Sequence, residues 1–168
     1  DLTNGVVVVD ADLTNNDLRV GLVSVLYALI YLLSAITFIQ WFRRAYNNLA
    51  ARTRIDNSEG WAAGAWFVPI ISLFRPYKIL RELFEKTDRL IKEKTGQNEE
   101  SDGLTLIGIW WALWILVGYV ANYSFKTIFK EDTVENLSNS TIADIISSFL
   151  DIPVGILAIL IISAFVKK

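Results

Sequence analysis

Apolar residues gather in blocks along this chain instead of alternating with polar ones. Three blocks are long enough to cross a membrane: Val20–Phe42, Leu104–Phe125 and Ile142–Val166. As a helix the first is about 34 Å long, against a hydrocarbon core of about 30 Å. A fourth block, residues 61–74, reaches only about 21 Å as a helix and is too short to cross. It carries Pro69 in its middle. The ring removes a backbone donor and crowds the preceding turn, so a kink or an end is predicted there. Ala62, Ala63, Gly64 and Ala65 leave room for a neighbouring helix to approach closely. Apolar runs of this length are more often re-entrant or interfacial than spanning. Irregular backbone at membrane depth must be covered by protein or line a cavity.

The polar positions frame these blocks. Asp1–Asp17 is acidic, with one short apolar run at Val6–Val9, and reads as an exposed segment. Its Asn15-Asn16-Asp17 cluster predicts a cap for the first span. Trp41, Arg43 and Arg44 mark an interface, and the helix is expected to continue through Ala51 and Arg52. Ser58 is the predicted cap of a helix starting near Trp61. Pro76 suits the first turn of a further helix, because its missing N–H has no partner there anyway. That helix, residues 76–94, carries Ile79, Leu80, Leu83, Phe84, Leu90 and Ile91 on one face. Glu82–Lys86, Glu85–Arg89 and Asp88–Lys92 are i,i+4 pairs in the favourable order. The pattern predicts an amphipathic helix on the membrane surface or on the bundle. Polar loops are expected at 95–103 and 130–139.

The expected fold is all-α: one integral membrane helical bundle of three spanning helices, a broken re-entrant hairpin and a cytoplasmic amphipathic surface helix. Charge sets the expected orientation. If residues 61–74 re-enter, all of the 16 basic residues except Arg19, Lys126 and Lys130 share one side. If they cross, only Arg43, Arg44, Arg52, Arg54, Lys126 and Lys130 remain inside. The positive-inside rule prefers re-entry, with the residue 1 end outside and the C-terminus cytoplasmic.

Composition removes whole classes of chemistry. The chain of 168 residues is 53% hydrophobic and has no Cys, no His and no Met. Thiol catalysis, disulfides, imidazole acid–base chemistry and Cys or His metal ligation are therefore excluded within it. The net charge of −2 gives no reason to expect a nucleic-acid partner. No cofactor and no metal are expected. The expected partners are membrane lipids and either another membrane protein or a second copy of the chain.

Two stretches carry a resemblance. Trp41, Arg43, Arg44, Tyr46, Asn48 and Leu49 form the first. Trp61, Gly64, Trp66, Phe67 and Pro69, followed by Phe74-Arg75-Pro76-Tyr77, form the second. Together they resemble a family of bacterial membrane proteins known as domain of unknown function 4328, and its Bacteroidetes members most. The resemblance is carried by residues 38–87 and, beyond them, by hydropathy alone. It implies a helical membrane fold and the bacterial inner membrane, but no reaction. It also implies a spanning helix before the one at Val20–Phe42, which this chain would lack.

The candidate chemistry is sparse. Asp151 lies several turns into a span, where a carboxylate is costly and suggests a functional site. It is expected level with Tyr27, and Tyr27 or Tyr31 could donate to it. The group is either an ion or proton site or a structural acid held by hydroxyls. Ser24, Tyr27, Tyr31 and Ser34 share one helix face, as a packing stripe would. Arg75, with Arg43 and Arg44, either contacts a lipid or substrate anion or snorkels to headgroups. Trp61, Gly64, Trp66, Pro69 and Pro76 read as structural residues of the hairpin, and the tryptophans as an interfacial belt packed on it. No nucleophile, base and orienting group occur together, so no enzyme is expected. The expected role is a scaffold or accessory subunit of a membrane assembly. The alternatives are a small transporter using the broken helix and Asp151, or a lipid or ligand sensor at Arg75.

Overall fold

A computed structural model describes residues 10–96, 103–127 and 134–168. Among them every regular element is helical: α1 (Asp10–Ala50), α2 (Trp61–Gly64), a 3₁₀ turn (Ile71–Leu73), α3 (Arg75–Thr95), α4 (Gly103–Thr127) and α5 (Val134–Val166). Three are long and apolar enough to cross a membrane, over Leu18–Ala50, Gly103–Tyr123 and Ser138–Val166. The chain is a multi-pass membrane protein. It divides into two compact units, Asp1–Trp41 and Phe42–Lys168.

Two helices start earlier than the polar pattern predicts. α1 already runs through Asn15-Asn16-Asp17, so this cluster is not its cap, and α5 starts at Val134 inside the expected loop. Neither lead-in contains Gly or Pro. Polarity ends a membrane span but does not end a helix, which can continue into water. The Val6–Val9 run, most of the expected loop at 95–103 and residues 130–133 of the second lie outside the described residues.

In the first unit, the side chains from Leu22 to Leu33 are exposed, as suits a surface that meets lipid. The hydroxyls do not wait for a neighbour. Ser24 donates to the Val20 carbonyl at 2.8 Å, Ser34 to Ile30 at 2.8 Å and Thr37 to Leu33 at 2.9 Å. Each bond lies within the helix's own previous turn, which is what a short hydroxyl side chain can reach.

The second unit is built on α3. Its buried row of Ile79, Leu80, Leu83 and Phe84 meets Phe42, Tyr46 and Leu49 in a core with Ile107 and Trp110 of α4 and Ile161 of α5. Arg81, Lys92 and Lys94 are exposed. α4 and α5 pack along one another, and α4 also packs on α3. Pro76 sits in the first turn of α3, and Gly96 closes its end. Gly96 takes φ 68° and donates its N–H to the Lys92 carbonyl at 2.9 Å, a left-handed cap that a side chain would strain.

Residues 61–74 form no continuous helix. α2 ends at Gly64, turns follow, and the 3₁₀ turn begins at Ile71. Pro69 lies in the break. Directly after it, Ile70 takes φ 66° and ψ −53°, and the Ile71 N–H donates to the Pro69 carbonyl at 2.7 Å. A three-residue turn of this hand is rare, and a β-branched residue in it is strained by about 1–3 kcal/mol. The expected cap at Ser58 is made differently. The Ser58 carbonyl, not its side chain, receives the Trp61 N–H at 3.0 Å.

Candidate functional site

The junction where the end of α1, residues 51–60 and α3 meet holds the densest polar chemistry in the described residues. At its centre is Glu82, only 7% exposed. Both carboxylate oxygens are doubly occupied. Oε1 accepts the Asp56 N–H at 2.6 Å and pairs with Lys86 Nζ at 2.8 Å. Oε2 accepts the Tyr46 hydroxyl at 2.8 Å and Asn57 Nδ2 at 3.1 Å. Helical spacing puts Glu82 on the buried edge of α3 and Lys86 one turn further along. Lys86 also reaches the Arg54 carbonyl at 2.8 Å and Asp56 Oδ1 at 2.9 Å.

Burial alone would push the Glu82 carboxyl up. The bonds from Lys86, the Asp56 N–H, Tyr46 and Asn57 outweigh it and hold the group below its ordinary 4.5. Burial would likewise push Lys86 down, but Glu82 and Asp56 hold it up. Both groups therefore stay charged at neutral pH. An acid whose acceptor positions are all filled is a clamp between chain segments, not a reagent.

Arg75 extends the network toward the broken segment. Its Nε donates to Asn57 Oδ1 at 3.3 Å, and its guanidinium lies 3.9 Å over the Trp61 ring. Arg75 is half-buried, whereas Arg43 and Arg44 are exposed on α1. The segment's other side is aromatic. The Trp66 ring meets Phe42 at 6.2 Å, Trp111 at 6.0 Å and Trp114 at 5.9 Å, each edge to face. Trp111 stacks on Trp114 at 4.9 Å and on Tyr77 at 6.1 Å. Its indole N–H donates to the Leu73 carbonyl at 3.2 Å, supplying a backbone acceptor that the 3₁₀ turn leaves open. Trp66 returns its own N–H to the Ala62 carbonyl at 3.1 Å. Gly64 has Trp61 as its near neighbour, and the buried Ala62 and Ala65 let the segment lie close to the core.

The remaining predicted residues sit elsewhere. Tyr27 and Tyr31, in the first unit, are exposed and stack on one another at 6.4 Å. Asp151 is half-buried in the middle of the α5 span, two residues before Pro153. On the same face Ser148 donates to the Asp144 carbonyl of its own helix at 2.8 Å. Of the three expected ion pairs on α3, Glu82–Lys86 forms. Glu85 pairs instead with Arg81 at 2.7 Å, and Asp88 pairs with Lys168.

Sequence reasoning missed Glu82. It read the residue as half of a surface pair, because nothing near it in the chain announces that it is buried. Its partners Tyr46 and Asn57 stand 36 and 25 positions away. One signal was available: Glu82 lies two and three positions from Leu80 and Ile79 and directly before Leu83, within the apolar face. Among the described residues, no group of His, Cys, Asp and Glu could hold a metal ion. No curated protein and no solved structure matches the chain. The sequence profile of the family described as a domain of unknown function, DUF4328, matches residues 4–167, and the chain belongs to that family.

Proposed function

We propose that this protein is a non-enzymatic scaffold or accessory subunit of an assembly in the bacterial inner membrane. In this reading residues 61–74 re-enter the bilayer from the cytoplasmic side. α3 lies along that surface as an amphipathic helix. The C-terminus is cytoplasmic and the residue 1 end outside. The distribution of basic residues supports the orientation. The exposed apolar tip of the segment, with Phe67 at 75% and Ile70 at 73%, supports its contact with lipid or with another membrane helix.

The observation that carries the reading is the saturation of Glu82. Glu82, the one buried acid outside the spans among the described residues, spends its hydrogen bonds on joining three chain segments. That is how a rigid platform is made, and it leaves Glu82 itself no free acceptor for a substrate. The test is native mass spectrometry of the protein released gently from its own membrane. A stoichiometric second protein, or a defined multiple of the chain, is the expected result. A lone chain across the accessible concentration range would overturn it.

One observation favours transport as a second reading. Asp151 stands at mid-span beside Pro153, where a broken hydrogen-bond ladder and a carboxylate occur together. If transport is the function, Asp151→Asn abolishes ion or proton flux in proteoliposomes and leaves the folded protein intact. The Arg75 sensor reading is weaker. That guanidinium already has Trp61 and Asn57 as partners, although Arg75→Ala with a measurement of bound phospholipid addresses it directly.

A further inference from the structure

A cleft of about 560 Å³ opens where the end of α1, the second half of α3 and the last turn of α5 come together. It lies wholly in the second unit. Leu49, Leu90, Ile91 and Phe165 give it apolar walls, and Asn48 and Thr87 add polar atoms. Three cations stand around it, and they are not equivalent. Lys168 is buried, paired with Asp88 and 5.0 Å from the Phe84 ring, so its charge is already answered. Arg52 and Lys94 are exposed and take part in no ion pair among the described residues. Among the described residues no acidic side chain lines the cleft.

A second groove on the other flank of α3 shows the contrast. Its cations, Arg54, Lys78, Arg81, Lys86 and Arg89, are interleaved with the acids Asp56, Glu82, Glu85 and Glu93. Its positive charges are largely answered by acids in the same lining. Of the two, the first combines charge of one sign with an apolar wall among the described residues.

Its level along the spans identifies the ligand class. Phe165 is in the last turn of the Ser138–Val166 span, and Leu49 lies on α1 beyond the interface marked by Trp41, Arg43 and Arg44. One candidate span ends at the cleft and another reaches its interface residues shortly before it, so the cleft sits on the headgroup side of the hydrocarbon. We infer that the cleft holds one anionic phospholipid, with its phosphate and headgroup between Arg52 and Lys94 and its first methylenes along Leu49, Leu90 and Phe165. The volume is that of an ordinary small-molecule pocket, about 300–1,000 Å³. A zwitterionic lipid fits less well, because its ammonium would find no acid. A soluble phosphate would leave the apolar walls uncovered. The inference rests on the membrane-surface placement proposed above for this face, though not on the existence of a protein partner.

The test is competition between phosphatidylglycerol and phosphatidylethanolamine for the full chain in detergent, read as lipid adducts by native mass spectrometry. Phosphatidylglycerol should be preferred by about tenfold, in line with two surface cations acting on one anionic headgroup. In Arg52→Gln/Lys94→Gln that preference should fall close to one, while Arg43→Gln retains it. Both side chains are exposed, so the double variant should keep the wild-type melting midpoint, measured on the same sample. Equal binding of the two lipids would overturn the inference. So would an unchanged preference in the double variant, or displacement of phosphatidylglycerol by millimolar inorganic phosphate, which would mark a soluble-anion site. A protein partner appears as a separate peak in the same spectra, so failure of the lipid site and failure of the scaffold reading are distinguishable.

Discussion

Residues 61–74 are held to the rest of the second unit on two sides, by means that differ in kind. One side is polar. Trp61 lies under Arg75, Arg75 bonds Asn57, and Asn57 and Tyr46 bond Glu82. The other is aromatic, with Trp66 set edge-on against Phe42, Trp111 and Trp114. The polar side is a chain of single links around one charge. If the charge is removed, several donors are left facing each other without an acceptor. The aromatic side is an area shared among several rings, and losing one ring removes contact in proportion. The first kind of fastening is therefore brittle and sensitive to protonation. The second is graded and indifferent to pH.

The largest expected effect falls on the polar side. Glu82→Ala should destabilise the protein by about 3 kcal/mol, the cost of leaving buried partners uncompensated. A denaturant titration in micelles measures it, and a loss below that of Trp66→Ala would reverse the comparison. Trp66→Ala should cost about 2 kcal/mol by the same assay, because the half-buried ring loses apolar contact without stranding a charge.

Acid should separate the two sides next. The Glu82 carboxyl lies lower in the folded protein than in the unfolded chain. Its contribution is thus complete above its unfolded value and is lost as pH falls through its folded value. The melting midpoint should drop below about pH 4.5, and Glu82→Gln should remove much of that slope while Trp66→Ala leaves it in place. The smallest effect belongs to Trp111→Phe. It keeps a ring but withdraws the donor to the Leu73 carbonyl, for about 1 kcal/mol. An amide-exchange measurement should find the loss confined to residues near the 3₁₀ turn.

The all-helical class and the three spans were legible because hydropathy and length act locally and need no knowledge of neighbours. Helix ends were less so. Asp10 and Val134 start helices in polar sequence, where only Gly, Pro or a capping side chain would mark a boundary. The polar junction was nearly invisible. Asp56-Asn57 falls between two predicted helices, Tyr46 on the continuation of the first span and Glu82 in an i,i+4 surface pair. Only tertiary contact makes them one network. The aromatic side was half legible. Packing on the broken segment was the expected use of the tryptophans, but the pairing of Trp66 with Trp111 and Trp114 depends on the path of α4.

The bond from Trp111 to Leu73 also has a meaning in time. The donor stands 38 residues beyond the acceptor, so it is still unmade when residues 61–74 are added to the growing chain. The indole N–H at Leu73 does not exist at that moment, and of the rings around Trp66 only Phe42 does; Trp111 and Trp114 come later. The form that residues 61–74 take beside α4 belongs to the completed chain and cannot precede the synthesis of α4.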